Sequence, residues 1–175
     1  VAVAWRDSWG ADVPFLVAWL LSPAVACWAS RAPPVGGRKP ISSADARALR
    51  IVARRTWRFF ETFVTPADNM LPPDNFQEDP APVIAHRTSP TNIGLQLLAM
   101  LAARDLGYLS YAGVLDRLEP TFDTLLRMPR YRGHFYNWYD TQTLVPLVPA
   151  YISTVASGNL AGYLLTLSSG LASLG

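Results

Sequence analysis

The sequence predicts an all-α fold in which helices alternate with polar loops, as in a helical toroid, with a small extended hairpin and a hydrophobic helix in front. Apolar residues recur at three- and four-residue spacing in the stretches 43–64, 89–106, 110–127 and 157–170, the pattern of helix faces. A proline-rich loop, 65–82, separates the first two. The helix after it is apolar, yet it opens on Arg87, Thr88, Ser89, Thr91 and Asn92. One polar residue is enough to cap a helix, so five at one end predict groups that face a ligand.

Residues 13–29 carry no charge. A membrane span needs about 20 apolar residues, with about 17 at the lower limit. Trp5, Trp9, Trp19 and Trp28 suit a membrane interface. Arg31, Arg38, Lys39, Arg47 and Arg50 follow, with Asp45 the one acid among them. If the segment spans, that excess puts its carboxyl-terminal side in the cytoplasm. The alternative is a hydrophobic helix packed on another domain, and Pro23 is expected to kink it in either case. Residues 31–40 form a linker punctuated by Pro and Gly. Its "GGRK" lacks the spacing of a phosphate-binding loop. The division is therefore 1–40, a membrane-proximal segment and linker, and 41–175, a helical domain. The chain stops inside a helical pattern and is expected to be a piece of something longer.

Ser42 or Ser43 can cap the next helix, with Asp45 in its first turn. Leu49, Val52, Thr56, Phe59, Phe60 and Phe63 make one face. Arg47, Arg50, Arg54, Arg55 and Arg58 fill much of the rest, as a solvated basic face or a contact to lipid. Loops as long as 65–82 are usually functional or disordered, and Met70, Leu71 and Phe76 argue against disorder. Ser89 caps the following helix with Pro90 in its first turn, and Gly107 ends it. Ser110 opens another, with Leu115, Leu118, Phe122, Leu125 and Leu126 on one face and a kink expected at Pro120. The stretch 134–152 reads as a hairpin or crossing loop. A last helix starts from Ser153 or Ser157. No charged residue follows Asp140, so that helix is buried or faces lipid. Gly158 and Gly162 have the spacing of a membrane dimerisation motif. Ser157, Asn159, Thr166, Ser168 and Ser169 dilute it, and a buried helix is expected.

Bulk properties exclude several classes. A net charge of +2 is too small to imply a nucleic-acid partner. Cys27 is the single cysteine, so there is no internal disulfide framework; in its apolar run it is expected to be a small buried hydrophobe. His86 and His134 stand far apart without cysteine partners, so no metal site is expected. His86 reads as a structural hydrogen-bonder. No basic start with a cleavage site marks a secretory signal.

The polar groups cluster. Asp74, Asn75, Gln77, Glu78 and Asp79 precede the polar helix start, and His134, Tyr136, Asn137, Trp138, Tyr139 and Asp140 crowd the hairpin. Carboxylates, amides and aromatic rings together suit sugars, because rings cover the apolar face of a pyranose while acids and amides bind its hydroxyls. Glycoside chemistry uses paired carboxylates, and the candidates are Glu78, Asp79 and Asp140. Loop capping and core packing account for the same residues without a ligand.

The strings "LPPDNFQE", "HRTSPTNIGL" and "GHFYNWYDT", within residues 50–165, strongly resemble the middle region of bacterial cyclic β-1,2-glucan synthases. The preceding "WLLSPAVACWASR" is similar to these proteins too. The resemblance implies a very large inner-membrane protein. Its amino-terminal glycosyltransferase extends β-1,2-glucan from UDP-glucose. Its middle, glycoside-hydrolase-like (α/α)6 toroid closes the ring by transglycosylation, and a phosphorylase-like domain trims the chain. Residues 41–175 would then be the start of that toroid, on the cytoplasmic side. Its partners would be the glucan, the UDP-glucose-using domain of the same parent and the membrane, with no cofactor. The match implies a sugar-facing shell of Asp74, Asn75, Gln77, Glu78, Arg87, Thr88, Ser89, Asn92, His134, Tyr136, Asn137, Trp138, Tyr139 and Asp140. One position departs: the family's "STVDSGNLAG" is "STVASGNLAG" here, with Ala156 in place of the acid. The catalytic pair is expected beyond Gly175, so the isolated chain should catalyse nothing. A non-catalytic carbohydrate-binding or membrane-anchoring module is the alternative. An unrelated helical membrane protein is a third reading, if 13–29 and 157–175 both insert.

Overall fold

A computed structural model describes residues 9–31 and 40–173. Trp5, the side chain of Trp9 and the linker residues 32–39, with Arg38 and Lys39, lie outside the described residues. The chain divides into two units, Val1–Ser42 and Ser43–Gly175.

In the first unit, α1 (Trp9–Ala29) continues through Pro14 and Pro23 as one helix. Its window Asp12–Ala29 has a mean hydropathy of 1.5 and is long and apolar enough to cross a membrane. Every described side chain of α1 is exposed, Cys27 included. The expectation of a buried thiol is thereby corrected: an apolar run buries a cysteine only where something packs on it.

The second unit is helical, with α2 (Ser43–Phe63), α3 (Pro90–Asp105), α4 (Tyr111–Arg127) and α5 (Thr154–Ala172). Six two-residue strands join them: β1 (Phe76–Gln77), β2 (Val83–Ile84), β3 (Arg87–Thr88), β4 (Arg130–Tyr131), β5 (His134–Phe135) and β6 (Tyr139–Asp140). They form three antiparallel pairs, β1–β2, β3–β6 and β4–β5. The expected caps of α3 and α4 are present. Ser89 Oγ accepts from the Asn92 amide at 3.2 Å, with Pro90 opening α3. Ser110 Oγ accepts from the Gly113 amide at 3.1 Å. Gly107, at φ +78°, takes the left-handed turn after α3. Arg132 and Gly133 both have positive φ and turn the tight β4–β5 hairpin. Of the two possible starts for α5, Ser153 is the cap: its Oγ accepts from the Ala156 amide at 3.1 Å. α4 passes through Pro120 as a single helix.

The core forms around α3. Its buried Ile93, Leu97 and Met100 meet Trp57 of α2, Leu118 and Leu125 of α4, and Leu160 and Leu167 of α5. Buried Gln96 sends its Nε2 to the Met70 carbonyl at 3.0 Å and to Thr121 Oγ1 at 3.2 Å. One side chain of α3 thus fastens both the proline loop and α4. The most extensive helix contact is α3 on α5, and glycine permits it. A β-carbon on Gly94 would meet the Tyr163 ring, and one on Gly170 would come within 2.7 Å of Leu101.

Gly94→Ala is therefore expected to destabilise the protein by about 1–3 kcal/mol, the usual range for overpacking. Adding Tyr163→Leu should restore part of the loss. Denaturation midpoints of the single and double variants check this, and an unchanged midpoint for Gly94→Ala would contradict the close approach.

Candidate functional site

The three polar clusters meet through backbone pairing. In the β3–β6 ladder Arg87 lies opposite Asp140 and Thr88 opposite Tyr139. The ladder continues one residue further, where the Thr141 amide donates to the His86 carbonyl at 3.0 Å. A buried carboxylate secures this point. Asp68 Oδ1 lies 2.7 Å from His86 Nδ1 and accepts from Thr141 Oγ1 at 2.6 Å. Asn69 Nδ2 adds donors to the carbonyls of Thr141, at 2.8 Å, and Gln142, at 2.9 Å. His86 is thus the structural hydrogen-bonder its sequence context suggests. The sequence reading missed Asp68 and Thr141 because their partners are distant in the chain.

Asp74, only 20% exposed at its side chain, organises the mouth of α3. Its Oδ2 accepts from Arg87 Nε at 3.1 Å and Nη2 at 2.9 Å, and its Oδ1 from Asn92 Nδ2 at 3.2 Å. The neighbouring Asn75 amide also donates to Asp74 Oδ2, at 3.1 Å. The Arg87 guanidinium then lies over the Trp138 ring, 5.2 Å from its centroid, a cation–π arrangement. Asp74, Arg87, Asn92 and Trp138 form one connected group of acid, guanidinium, amide and indole. Asn137 anchors the return of the chain. Its amide nitrogen Nδ2 donates to the Tyr151 hydroxyl at 2.7 Å, and its backbone amide to the Tyr151 carbonyl at 2.8 Å. Tyr151, whose side chain is half exposed, is a second residue that the sequence reading did not select.

Other predicted site residues do other work, and three are corrections. Thr88 and Tyr139 are fully buried and Ser89 nearly so. Strand residues alternate sides, so pairing that leaves Arg87 exposed and Asp140 partly so turns Thr88 and Tyr139 inward. The Tyr139 hydroxyl donates to the Pro129 carbonyl and accepts from the Tyr136 amide, both at 2.7 Å. Burial pushes its pKa up. Ser89 is consumed by its cap. Tyr136 packs edge-on to Tyr139 with ring centroids 6.2 Å apart. His134 lies exposed on the separate β4–β5 hairpin, and Gln77 is exposed on β1.

The three candidate catalytic carboxylates stand in different surroundings. Asp140 Oδ1 accepts from the Gln142 amide at 3.0 Å, the Thr143 amide at 2.8 Å and Thr143 Oγ1 at 2.9 Å. That is a turn-capping role. The Thr143 backbone amide is the largest cause holding its pKa below the ordinary carboxylate value, and desolvation opposes it. Glu78 lines a cleft of about 640 Å³ with Arg55, Arg58, Phe59 and Phe76, a size within the range of small-ligand pockets, about 300–1,000 Å³. Asp79 is exposed next to Pro80. Among the described residues, no hydrogen-bond partner is shared between these three acids, and no group of three or more His, Cys, Asp or Glu is placed to hold a metal.

Comparison with known proteins gives this geometry its context. The chain is 50% identical over 157 residues to the cyclic β-(1,2)-glucan synthase NdvB of Rhizobium meliloti strain 1021. The likeness read from the sequence holds. The match covers 90% of this chain but 6% of NdvB, so the chain spans a small part of its relative's length. No family model matches. Among solved structures, a candidate glucoamylase of Bacteroides fragilis aligns with 76% of this chain and 32% of its own, at 24% identity and a TM-score of 0.60. A β-1,2-glucanase of Parabacteroides distasonis aligns with 75% of this chain and 18% of its own, at 17% identity and the same 0.60. An endo-β-1,2-glucanase of Chitinophaga pinensis, solved with sophorotriose and glucose, covers 71% of this chain and 31% of its own, at 20% identity and 0.57. The fold is thus all-α, with glucoamylase-like (α/α)6 toroids as its structural neighbours.

The depressed Asp140 pKa has a stability consequence with a defined sign. A carboxyl whose folded pKa lies below its unfolded one contributes stability above the unfolded value, and loses it as the pH falls through the folded value. Asp140→Asn is expected to lower the melting temperature at neutral pH. The gap to the parent should close as the pH drops through and below the ordinary carboxylate range. A gap independent of pH would remove the charged cap from the account.

Proposed function

We propose that this chain is a segment of a cyclic β-1,2-glucan synthase, the first part of a toroid domain that acts on β-1,2-glucan. In this reading the domain closes the ring by transglycosylation, after a separate domain of the same parent has polymerised glucose from UDP-glucose. The observation that carries the proposal is the 50% identity to NdvB along 90% of the chain. The domain limits, 1–40 and 41–175, follow the same reading. The arginines after α1 support an inner-membrane location with residues 41–175 on the cytoplasmic side.

The chemistry proposed for this segment is binding. The Trp138 indole offers an apolar surface to a glucosyl ring. Arg87, held by Asp74, and the amides of Asn92, Asn75 and Asn137 supply hydroxyl partners around it. Gln77, His134 and Tyr136 remain outer candidates, and Glu78 and Asp79 are the acids left free of a capping duty. Retaining transfer needs two carboxyl groups about 5–5.5 Å apart. In this reading the pair is supplied by later parts of the toroid, and the isolated chain turns nothing over. The alternative, a non-catalytic carbohydrate-binding or membrane-anchoring module, is favoured by Ala156 standing where the family has an acid.

In a full-length parent, Trp138→Ala is expected to weaken binding of linear β-1,2-glucan by roughly 1–3 kcal/mol, the order for a well-packed aromatic contact. Tyr139→Phe, which deletes a buried hydroxyl, should lower stability with far less effect on affinity. Calorimetric titration of both folded variants checks the pair. Unchanged affinity for Trp138→Ala would remove the aromatic platform. Turnover of linear glucan by the isolated, monodisperse chain would move the catalytic pair onto two of Glu78, Asp79 and Asp140.

A further inference from the structure

The two halves of α2 have different surroundings. The second half is core: Trp57 is 4% exposed, and Phe63 meets Phe76 with ring centroids 4.8 Å apart. The first half is bare, with Leu49 58% and Val52 61% exposed. At 3.6 residues per turn, Arg47, Arg50, Arg54 and Arg58 fall on one side of α2, and Leu49 and Val52 on the other. Arg54 pairs with Glu61 at 2.8 Å. Arg47, Arg50, Arg55 and Arg58 have no acidic partner among the described residues.

We infer that the amino-terminal half of α2 is a docking surface for an anionic lipid membrane. Its apolar side enters the headgroup boundary, and the positive charge of its opposite, arginine-bearing side draws it to an anionic surface. The combination selects this partner. A protein surface that covered Leu49 and Val52 would leave the arginines on the far side of the helix without a use. A nucleic acid would leave Leu49 and Val52 in water. An anionic bilayer surface accommodates both, since interfacial helices pair an apolar face with a basic one and cytoplasmic leaflets attract basic segments. Sequence order agrees, because α2 follows the apolar helix α1 after only the segment 30–42. The inference rests on the membrane placement proposed above and adds a site, a lipid charge and the residues that read it.

The test uses the full chain in vesicles of phosphatidylcholine, with or without phosphatidylglycerol. A nitroxide is placed at Val52 by Val52→Cys with Cys27→Ser, or at native Cys27 as a control for α1. Collision rates with oxygen, which concentrates in lipid, and with a water-soluble nickel complex report the surroundings. The position-52 label should favour oxygen in anionic vesicles and nickel in neutral ones. Each of Arg47→Ala and Arg50→Ala should weaken that contact roughly fivefold. A position-52 label equally wet in both vesicles overturns the inference. So does a label shielded from both reagents in a full-length parent, because protein then covers the patch. If Cys27 favours oxygen while position 52 stays wet, the docking surface fails and the membrane placement stands. If both stay wet, the placement fails as well.

Discussion

Two residues of antiparallel backbone, Arg87–Thr88 against Tyr139–Asp140, hold the polar end of this fold together. A ladder this short is not stable alone. It persists because both of its sides are fastened elsewhere. Inward, Tyr139 bridges the Pro129 carbonyl and the Tyr136 amide. Losing that hydroxyl would leave buried backbone groups unsatisfied, at a cost of about 1–3 kcal/mol each. At its end, Asp68 gathers His86 and Thr141. Asp74 then fixes Arg87 and Asn92, and Arg87 in turn covers Trp138. Each step depends on the one before it, so the position of the indole traces back to the ladder.

Position 156 shows how a substitution that looks catalytic from sequence can have a local structural meaning. Ser153 caps α5 and Ala156 is the third helical residue, with its amide on Ser153 Oγ. That is the place where an acidic side chain can reach back to the cap's own amide, as in a capping box. An acid there would also sit favourably at the positive end of the helix dipole. Where the resemblance implies an acid, alanine therefore also means a weaker helix start. Ala156 is 6% exposed, which suits alanine better than an uncompensated charge.

The helices were legible because their signals are local. Ser89 with Pro90, Ser110 and Gly107 mark ends that the structure reproduces, and the 3.6-residue spacing identifies the faces. The start of α5 was ambiguous because Ser153 and Ser157 carry the same capping chemistry, and only packing of α5 on α3 decides between them. The site was legible as a set of residue types gathered near the mouth of α3. Which of them face outward was not, because that depends on register. Thr88 and Tyr139 are as polar as Arg87 and Asp140, yet the pairing turns the first two inward. Asp68 gives no local signal, since its partner Thr141 lies 73 positions away. Cys27 was misjudged for a related reason: hydrophobicity records a tendency to be buried and says nothing of whether a partner surface is there.

The distribution of carboxylates joins the geometry to the proposed chemistry. Around the mouth of α3, Asp68 is held by His86 and Thr141, Asp74 by Arg87 and Asn92, and Asp140 by its own turn. An acid committed in this way is suited to positioning. A nucleophile or proton donor must keep an oxygen free for the glycosidic carbon or oxygen; Asp74 has both oxygens engaged, whereas Asp68 and Asp140 make these bonds through Oδ1 alone. Apolar side chains tell the same story on the scale of the domain. Leu126, Val148, Val155 and Leu165 are all more than two-thirds exposed, at 76%, 90%, 71% and 72%, and under the toroid reading further protein of the ring packs on them. The solved toroids extend well beyond the part this chain matches, since it covers 18–32% of them. Under the glucan-handling reading, Trp138 and Arg87 belong to one wall of a cleft. The reacting acids then come from the wall opposite, and the capped acids of this segment keep the sugar in register for them.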